Sequence, residues 1–262
     1  MSALASLVDD LVSTAADAAT RQDWVTVSDT IEDALTLDPG HAEATALLAL
    51  AARHLDQGAH ARRRQLTVMF CDLVGSTAQA EQLDPEIVQS LLNGYRDICA
   101  SAIERYGGSI HQYIGDGMIA YFSYPRAHED DSRRAVFAGL ALQEELEQYS
   151  AAMVAAHGIE VAARVGIHTG LVAIGSLTVR GRVEDGVIAG NTPNTAARIE
   201  SAAEPREVWI SDVTRALVEG YIESESVGPV DLKGLSRRIA LHRVLGRTGA
   251  RSRLDIARPD LS

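Results

Sequence analysis

The order of the predicted secondary structure after residue 61 restricts the fold more than any other feature of this chain. Short runs of β-type residues alternate there with two long segments whose apolar residues recur every three to four positions, as in amphipathic helices. The first predicted helix runs from Asp84 to Tyr106 and is stopped by Gly107-Gly108, and the second runs from His128 to about His157. The resulting order, β-α-β-β-α-β followed by further short elements, predicts an α+β sandwich with an antiparallel sheet.

The β-type runs are short and are separated by turn residues. We predict strands over Leu66–Cys71, Ser109–Tyr113, Met118–Phe122, Val161–Ile167, Leu171–Gly175, Glu207–Ile210, Ile222–Val227 and Ile239–Leu245. The second and third runs flank an Asp-Gly turn as a hairpin, and the fourth and fifth are predicted to form another hairpin around His168-Thr169-Gly170. A short helix is predicted from Thr192 to Ala203, with Thr192 as its N-cap and Pro193 at its first position.

The N-terminal region has a different character. Residues 3–57 are rich in Ala and Leu and are predicted to be helical, with breaks near Gln22-Asp23 and at Asp38-Pro39-Gly40. The segment from Leu35 to Ala44 resembles the joint between two helices of a tetratricopeptide-type hairpin. Arrays of that type need at least three repeats, so packing on the following domain or on a second chain is favoured over peptide binding.

Three regions are therefore predicted: a helical hairpin over residues 1–60 that is regulatory or supports a dimer, an α+β domain over 61–246, and a basic flexible tail over 247–262. The net charge of −12 is concentrated in the first region, which contains ten Asp and Glu residues but only two Lys and Arg residues. An acidic chain lacks the Lys and Arg phosphate contacts on which duplex binding depends, so no nucleic-acid partner is expected.

Two further properties point to the cytoplasm. Cys71 and Cys99 both lie in apolar segments, which is typical of reduced, buried thiols rather than of a disulfide or a metal site. The longest apolar stretch, from Ala44 to Ala52, is too short for a membrane span, and no basic segment followed by an apolar one opens the chain as in a signal peptide. We therefore expect a cytoplasmic protein without a membrane partner.

Two carboxylates occur where neighbouring strands would present them together. Asp72 ends the apolar run from Leu66 to Phe70, just before the small-residue turn Gly75-Ser76-Thr77, and Asp116 lies in the Asp-Gly turn of the first hairpin. Each has a simpler explanation, because Asp-Gly is a common hairpin turn and Asp72 could cap the element that follows it. Together, beside free backbone N–H groups, they would suit two divalent cations holding a triphosphate.

Four motifs, in order and with their spacing, resemble the class III nucleotidyl cyclase homology domain, in particular its bacterial members. They are Phe70-Cys71-Asp72-Leu73-Val74-Gly75-Ser76-Thr77, Gly115-Asp116-Gly117, Val165-Gly166-Ile167-His168-Thr169-Gly170, and Gly190-Asn191-Thr192-Pro193-Asn194-Thr195-Ala196-Ala197-Arg198. The resemblance covers roughly Arg63 to Leu245. It implies the class III cyclase fold, a ferredoxin-like βαββαβ sandwich with an antiparallel sheet.

The resemblance also implies a ligand set. Asp72 and Asp116, with the Leu73 carbonyl, would hold two Mg²⁺ or Mn²⁺ ions per site, and these would activate the ribose 3′-hydroxyl and neutralise the triphosphate. The phosphates would be contacted by Gly75, Ser76, Thr77 and Lys233. The alternative for Lys233 is an ordinary solvated turn lysine.

Asn194 and Arg198 are spaced by four residues, which places the amide and the guanidinium on one helical face. In the family these residues orient the ribose and stabilise charge at the α-phosphate, and they face the metal-binding aspartates of another protomer. This chain contains both sets. The resemblance therefore implies a head-to-tail homodimer with two equivalent sites, and a monomer that is nearly inactive.

Base recognition departs from the family pattern. A Lys and an Asp or Thr usually read the purine, and here the corresponding residues are Gln112 and Val187. Gln can still donate and accept hydrogen bonds, whereas the Val side chain cannot. An adenylate cyclase acting on ATP is favoured. The alternatives are a guanylate or dual-specificity cyclase acting on GTP, and, in another class, a dimerising nucleotide-sensing module with little activity.

Overall fold

The computed structural model describes residues 3–55, 62–75, 83–179, 182–231 and 238–249. The helices are α1 (Ala3–Thr20), α2 (Trp24–Leu37), α3 (Ala42–Leu55), α4 (Pro85–Arg105), α5 (Asp131–His157), α6 (Asn191–Ala202) and α7 (Asp212–Leu217). The strands are β1 (Arg62–Leu73), β2 (Ser109–Ile114), β3 (Gly117–Phe122), β4 (Ala163–Val179), β5 (Arg182–Ala189), β6 (Val208–Ser211), β7 (Ile222–Val230) and β8 (Ile239–Arg247).

In the described part of the chain these strands form one sheet in the order β2-β3-β1-β4-β6-β8-β7, with β5 paired to β4. β1 lies between β3 and β4 and is antiparallel to both. The pairing of β4 with β6 is parallel, and the other described pairings are antiparallel. The predicted α+β fold is confirmed, with one parallel pairing inside the largely antiparallel sheet.

The two faces of the sheet are covered by different helices. Alternate residues of a strand point to opposite faces, and on β1 Met69, Cys71 and Leu73 belong to the core beneath α4 and α5. Leu66 and Val68 belong instead to the cluster that includes Ala196 of α6. Asp72 continues this second set, so its side chain is on the α6 face. Both cysteines are buried free thiols, as predicted.

The second predicted hairpin is wrong. Residues 168–170 do not turn but continue through β4, a single strand of 17 residues that pairs with β1 from Ala163 to Ile174. His168 and Thr169 are buried opposite Val68 and Thr67. Gly170 does not form a turn but permits close packing against α6, where a Cβ would lie 2.6 Å from Thr192 Oγ1.

The N-terminal region contains three helices, and the breaks between them fall where they were predicted. Asp23 caps α2 by accepting a hydrogen bond from the Thr26 N–H at 3.2 Å. The three helices bury one apolar cluster, which extends to Val213 of α7. The region therefore packs on the following domain, as favoured above, while the tetratricopeptide likeness, the three-region division and the character of the tail remain predictions. None of the helices in the described ranges has the length and apolar character that a membrane crossing requires.

Candidate active site

Asp72 and Asp116 lie near each other where β1 and the β2–β3 hairpin end. Cys71 is the last residue of β1 that pairs with β3, through Met118, so Asp72 lies beside the tight turn that joins β2 to β3. A Cβ on Gly117 would stand 3.0 Å from Asp72 Oδ1, which shows that this carboxylate rests against the turn. Asp116-Gly117 therefore forms the hairpin turn, and the absence of a side chain at Gly117 leaves room for the Asp72 carboxylate.

The electrostatics of this pair favour a bound cation. Partial burial and repulsion from Asp116 raise the pKa of Asp72, and Arg164, which pairs with it across β1 and β4, offsets part of that effect. Two carboxylates that repel one another in this way are stabilised by a divalent ion between them. The donor chemistry thus fits Mg²⁺ or Mn²⁺.

The protein alone supplies few donors here. Among the residues that the structure describes, no group of three or more His, Cys, Asp or Glu could hold a metal ion. Mg²⁺ is often held by only one or two carboxylates together with substrate phosphates, so the fit to a cation here rests on Asp72 and Asp116. Leu73 ends β1 with its side chain in the core, and Gly75 follows with a φ of 72°. Ser76, Thr77 and Lys233 lie outside the described residues.

A residue that sequence reasoning missed holds the Asp116 turn. Arg96 of α4 donates from Nη2 to the Gly115 carbonyl at 3.2 Å, and its guanidinium lies 5.3 Å from the centre of the Tyr113 ring. Gly115 has a φ of 63°, a conformation that glycine adopts at little cost. The turn is therefore fastened from outside the hairpin. An arginine at one turn of an amphipathic helix carries no signal in the sequence that would reveal this contact.

Glu200 and Arg164 were also missed. Glu200 of α6 is 7% exposed, and burial together with repulsion from Asp72 raises its pKa to about 7. The charge of Arg164 offsets part of the rise in the pKa of both Asp72 and Glu200, and within the described residues its Nε is buried without a hydrogen-bond partner. The inward side of α6 therefore faces Asp72 and Asp116 of its own chain. In the sequence, the only indication that Glu200 lies near the site is its position two residues after Arg198.

Close packing fixes α6 on the sheet. A Cβ on Gly166 would stand 2.1 Å from the Glu200 backbone nitrogen and 2.6 Å from the Ala196 carbonyl oxygen. No side chain fits there, so the helix backbone lies directly on β4. The glycines of the Val165–Gly170 motif thus have a packing role, at Gly166 and again at Gly170.

Asn194 and Arg198 lie on the opposite side of α6. Thr192, Thr195, Ala196, Ile199 and Glu200 are its buried residues. Since each residue turns the helix by about 100°, Asn194 and Arg198 point about 120–160° away from Glu200. Asn194 is exposed and Arg198 is half-buried. One chain therefore brings Asp72 and Asp116 together but directs Asn194 and Arg198 away from them.

The predicted N-cap of this helix is wrong. Gly190 occupies the cap position with a φ of 141° and makes no side-chain capping bond. Thr192 lies inside the helix and donates instead to the Leu171 carbonyl of β4 at 3.0 Å. Thr192 therefore binds β4 instead of capping the helix, although Thr is a preferred N-cap residue.

The two predicted base-recognition positions lie on different strands. Gln112 is exposed on β2, next to an irregularity in its pairing with β3. Val187 is on β5, a strand that was not predicted, and its backbone pairs with Gly175. The side chain of Val187 lies outside the described part of the structure.

Comparisons with known proteins agree with this geometry. The model of the adenylate and guanylate cyclase catalytic domain family matches residues 59–246. Adenylate cyclase 1 of Rhizobium meliloti (strain 1021) is 29% identical over 191 residues, which make up 72% of this chain and 29% of that relative. The chain thus spans less than a third of the length of that curated relative.

Solved structures show the same fold. The adenylyl cyclase CyaB from P. aeruginosa is 30% identical, with a TM-score of 0.68 over 73% of this chain and 98% of that chain. The guanylyl cyclase Cya2 is 28% identical, with a TM-score of 0.66 over 73% of this chain and 97% of that chain.

Proposed function

The chain belongs to the adenylate and guanylate cyclase catalytic domain family, and on that premise we propose that it is an adenylate cyclase that converts ATP to 3′,5′-cyclic AMP and pyrophosphate. The observation that carries the proposal is the meeting of Asp72 and Asp116 on the face of the sheet that α6 covers. The relatives named as adenylate and adenylyl cyclases support ATP as the substrate.

The reaction forms one bond and breaks another at the α-phosphorus. The ribose 3′-oxygen bonds to this phosphorus, and the bond to the oxygen that bridges to the β-phosphate breaks. The hydroxyl proton is released, and the electron pair of the broken bond leaves with pyrophosphate. The residues must therefore hold the ribose and the α-phosphate in line and stabilise charge on the phosphate oxygens.

The residues of the chain divide this work between them. Asp72, the Leu73 carbonyl and Asp116 would hold two divalent cations, Mg²⁺ or Mn²⁺. When bound, these cations supply charge neutralisation at the triphosphate and a lower pKa for the 3′-hydroxyl. The backbone at Gly75, Ser76 and Thr77, together with Lys233, would contact the phosphates.

The other half of the site would come from a second copy of the chain. The Asn194 amide would hold the ribose, and the Arg198 guanidinium would stabilise the charge on the α-phosphate. Because both point away from the carboxylates of their own chain, a head-to-tail homodimer with two sites is the arrangement that uses all four residues. Gln112 and the backbone near Val187 would then contact the base.

The experiment that tests the proposal is a product assay on the purified chain. The protein is incubated with Mn²⁺ or Mg²⁺ and with ATP or GTP in parallel, and cyclic nucleotides are separated by chromatography. Cyclic AMP formed faster than cyclic GMP is the expected result. Faster cyclic GMP would replace ATP with GTP as the substrate. No product from either, with nucleotide still bound, would favour the dimerising nucleotide-sensing module.

A further inference from the structure

Helix α2 touches the helix that carries Asn194 and Arg198, although α2 lies outside the residues matched by the family model. Asp29 Oδ2 accepts a hydrogen bond from Asn191 Nδ2, and Asn191 is the first residue of α6. The contact joins positions 162 residues apart in the chain. The Asp29 carboxylate therefore lies at the first residue of α6, the helix that carries Asn194 and Arg198.

A second contact fastens the same face of α2 to β4. Asp33 Oδ1 lies 3.5 Å from His168 Nε2, and His168 Nδ1 shares a hydrogen bond of 2.8 Å with Ser211 Oγ. Both Asp33 and His168 are buried. His168 lies between the two glycines of β4 on which α6 packs. Asp29 and Asp33, four residues apart, therefore hold α6 and the strand beneath it from one side.

The packing around α2 restricts its movement relative to α6. The apolar cluster of α1, α2 and α3 includes Val213, so the helices cannot move without separating from α7. The start of α6 has no side-chain cap of its own, because its cap residue is Gly190. Asn191 precedes Asn194 by about one turn and Arg198 by about two turns. A shift at Asn191 would therefore pass directly to both catalytic side chains.

We propose that Asp29 is a positioning residue for the cyclase reaction, acting through Asn191 to fix the first turn of α6. Residues 3–55 would then be part of the catalytic machinery rather than only a packing appendage. The α6 helix held in this way completes the site on the partner copy. This inference rests on the proposed function and on the proposed dimer.

The first test compares Asp29→Ala and Asp29→Asn with the control Asp9→Ala, which removes an exposed carboxylate of α1. Asp29→Ala is expected to lower kcat about tenfold with KM for ATP changed less than twofold. Asp29→Asn keeps an acceptor oxygen and should recover most of that loss. Asn191→Ala should lower kcat similarly, and combining it with Asp29→Ala should add little. Additive losses, or equal effects at Asp9 and Asp29, would overturn the inference.

The second test separates positioning from general damage to the fold. In a mixture of Asp72→Ala and Arg198→Ala chains, the heterodimer has one intact site, which uses α6 of the Asp72→Ala chain. Asp29→Ala placed on that chain should lower activity about tenfold, and on the Arg198→Ala chain it should change activity less than twofold. Equal losses would overturn the role of Asp29. An inactive parent mixture would overturn the dimer instead, and this inference with it.

Discussion

The two halves of the candidate site differ in how much of each one chain provides. At the carboxylate end, β1, the β2–β3 turn, α4 and α6 all contribute residues that surround Asp72 and Asp116. At the other end, the outward side of α6 presents Asn194 and Arg198 to the surface. The same helix contributes to both ends, because its buried Glu200 lies near Asp72 and Asp116 while Asn194 and Arg198 lie on its outward side. In the proposed dimer, one copy would therefore supply the carboxylate half of one site and the Asn194 and Arg198 half of the other.

The sharpest way to test the carboxylate half is Asp72→Asn, which keeps the shape of the side chain and removes its charge. Loss of a metal ligand should lower the rate at least about a thousandfold. Because burial and Asp116 both disfavour the charge of Asp72, the free protein should melt at the same temperature or slightly higher. Product formation and calorimetry are measured together.

Glu147→Gln, which changes an exposed residue of α5, is the control and should leave both readings unchanged. More than a tenth of the wild-type activity in Asp72→Asn would remove this residue as an essential ligand.

The close packing of α6 on Gly166 of β4 is tested by Gly166→Ala. The added methyl group would overlap the backbone of α6, so the helix must move, with a loss of about 3 kcal/mol in the free energy of unfolding. Gly246→Ala is the matched control, because a Cβ there meets nothing within 4 Å. Denaturant unfolding measures both variants. Equal stability of the two would show that α6 does not lie on β4 as described.

The fastening of the Asp116 turn is tested by Arg96→Ala. Without the guanidinium, the turn loses its bond to the Gly115 carbonyl, and about tenfold more Mg²⁺ should be needed for half-maximal activity. The control, Arg105→Ala on the same helix, removes an ion pair to Glu145 that lies away from the turn. A metal requirement that is the same in both variants would contradict this role of Arg96.

A further expected effect depends on pH and concerns Glu32, on the acidic face of α2. Burial raises the pKa of Glu32 to about 7, with Asp29 and Asp33 adding repulsion and Arg63 opposing it. Between pH 4.5 and 7 the folded protein then binds more protons at this carboxyl than the unfolded chain, so its contribution to stability falls as pH rises. Glu32→Gln should therefore match the wild type near pH 4 and exceed it by about 1–3 kcal/mol at pH 8.

Unfolding curves at the two pH values check this expectation, with Glu43→Gln, an exposed acid of α3, as the control. A pH-independent difference between Glu32→Gln and the wild type would contradict the raised pKa.

The long elements could be predicted because their periodicity is strong. Helix α4 begins after the Asp84 cap and ends before Gly107, one residue inside the predicted bounds at each end. The β2–β3 hairpin was predicted correctly from its Asp-Gly turn. The hairpin predicted around His168-Thr169-Gly170 was wrong, because Gly170 is required for the close packing of α6 on β4 and not for a turn.

The candidate site was predictable only in part. Asp72 and Asp116 could be paired from the strands that carry them, and Asn194 and Arg198 from their spacing. Arg96, Arg164 and Glu200 reach the site through tertiary packing, which periodicity does not encode. The contact between Asp29 and Asn191 joins two parts of the chain that no local pattern connects.

The most direct test of the central claim, that two copies complete each site, is the activity of mixed inactive chains. Asp72→Ala and Arg198→Ala are each assayed alone and after mixing in equal amounts, with the dimer confirmed by light scattering. Random exchange makes half of the dimers heterodimers with one intact site of two, so the mixture should recover roughly a quarter of the wild-type activity. A mixture as inactive as its two components would contradict the account.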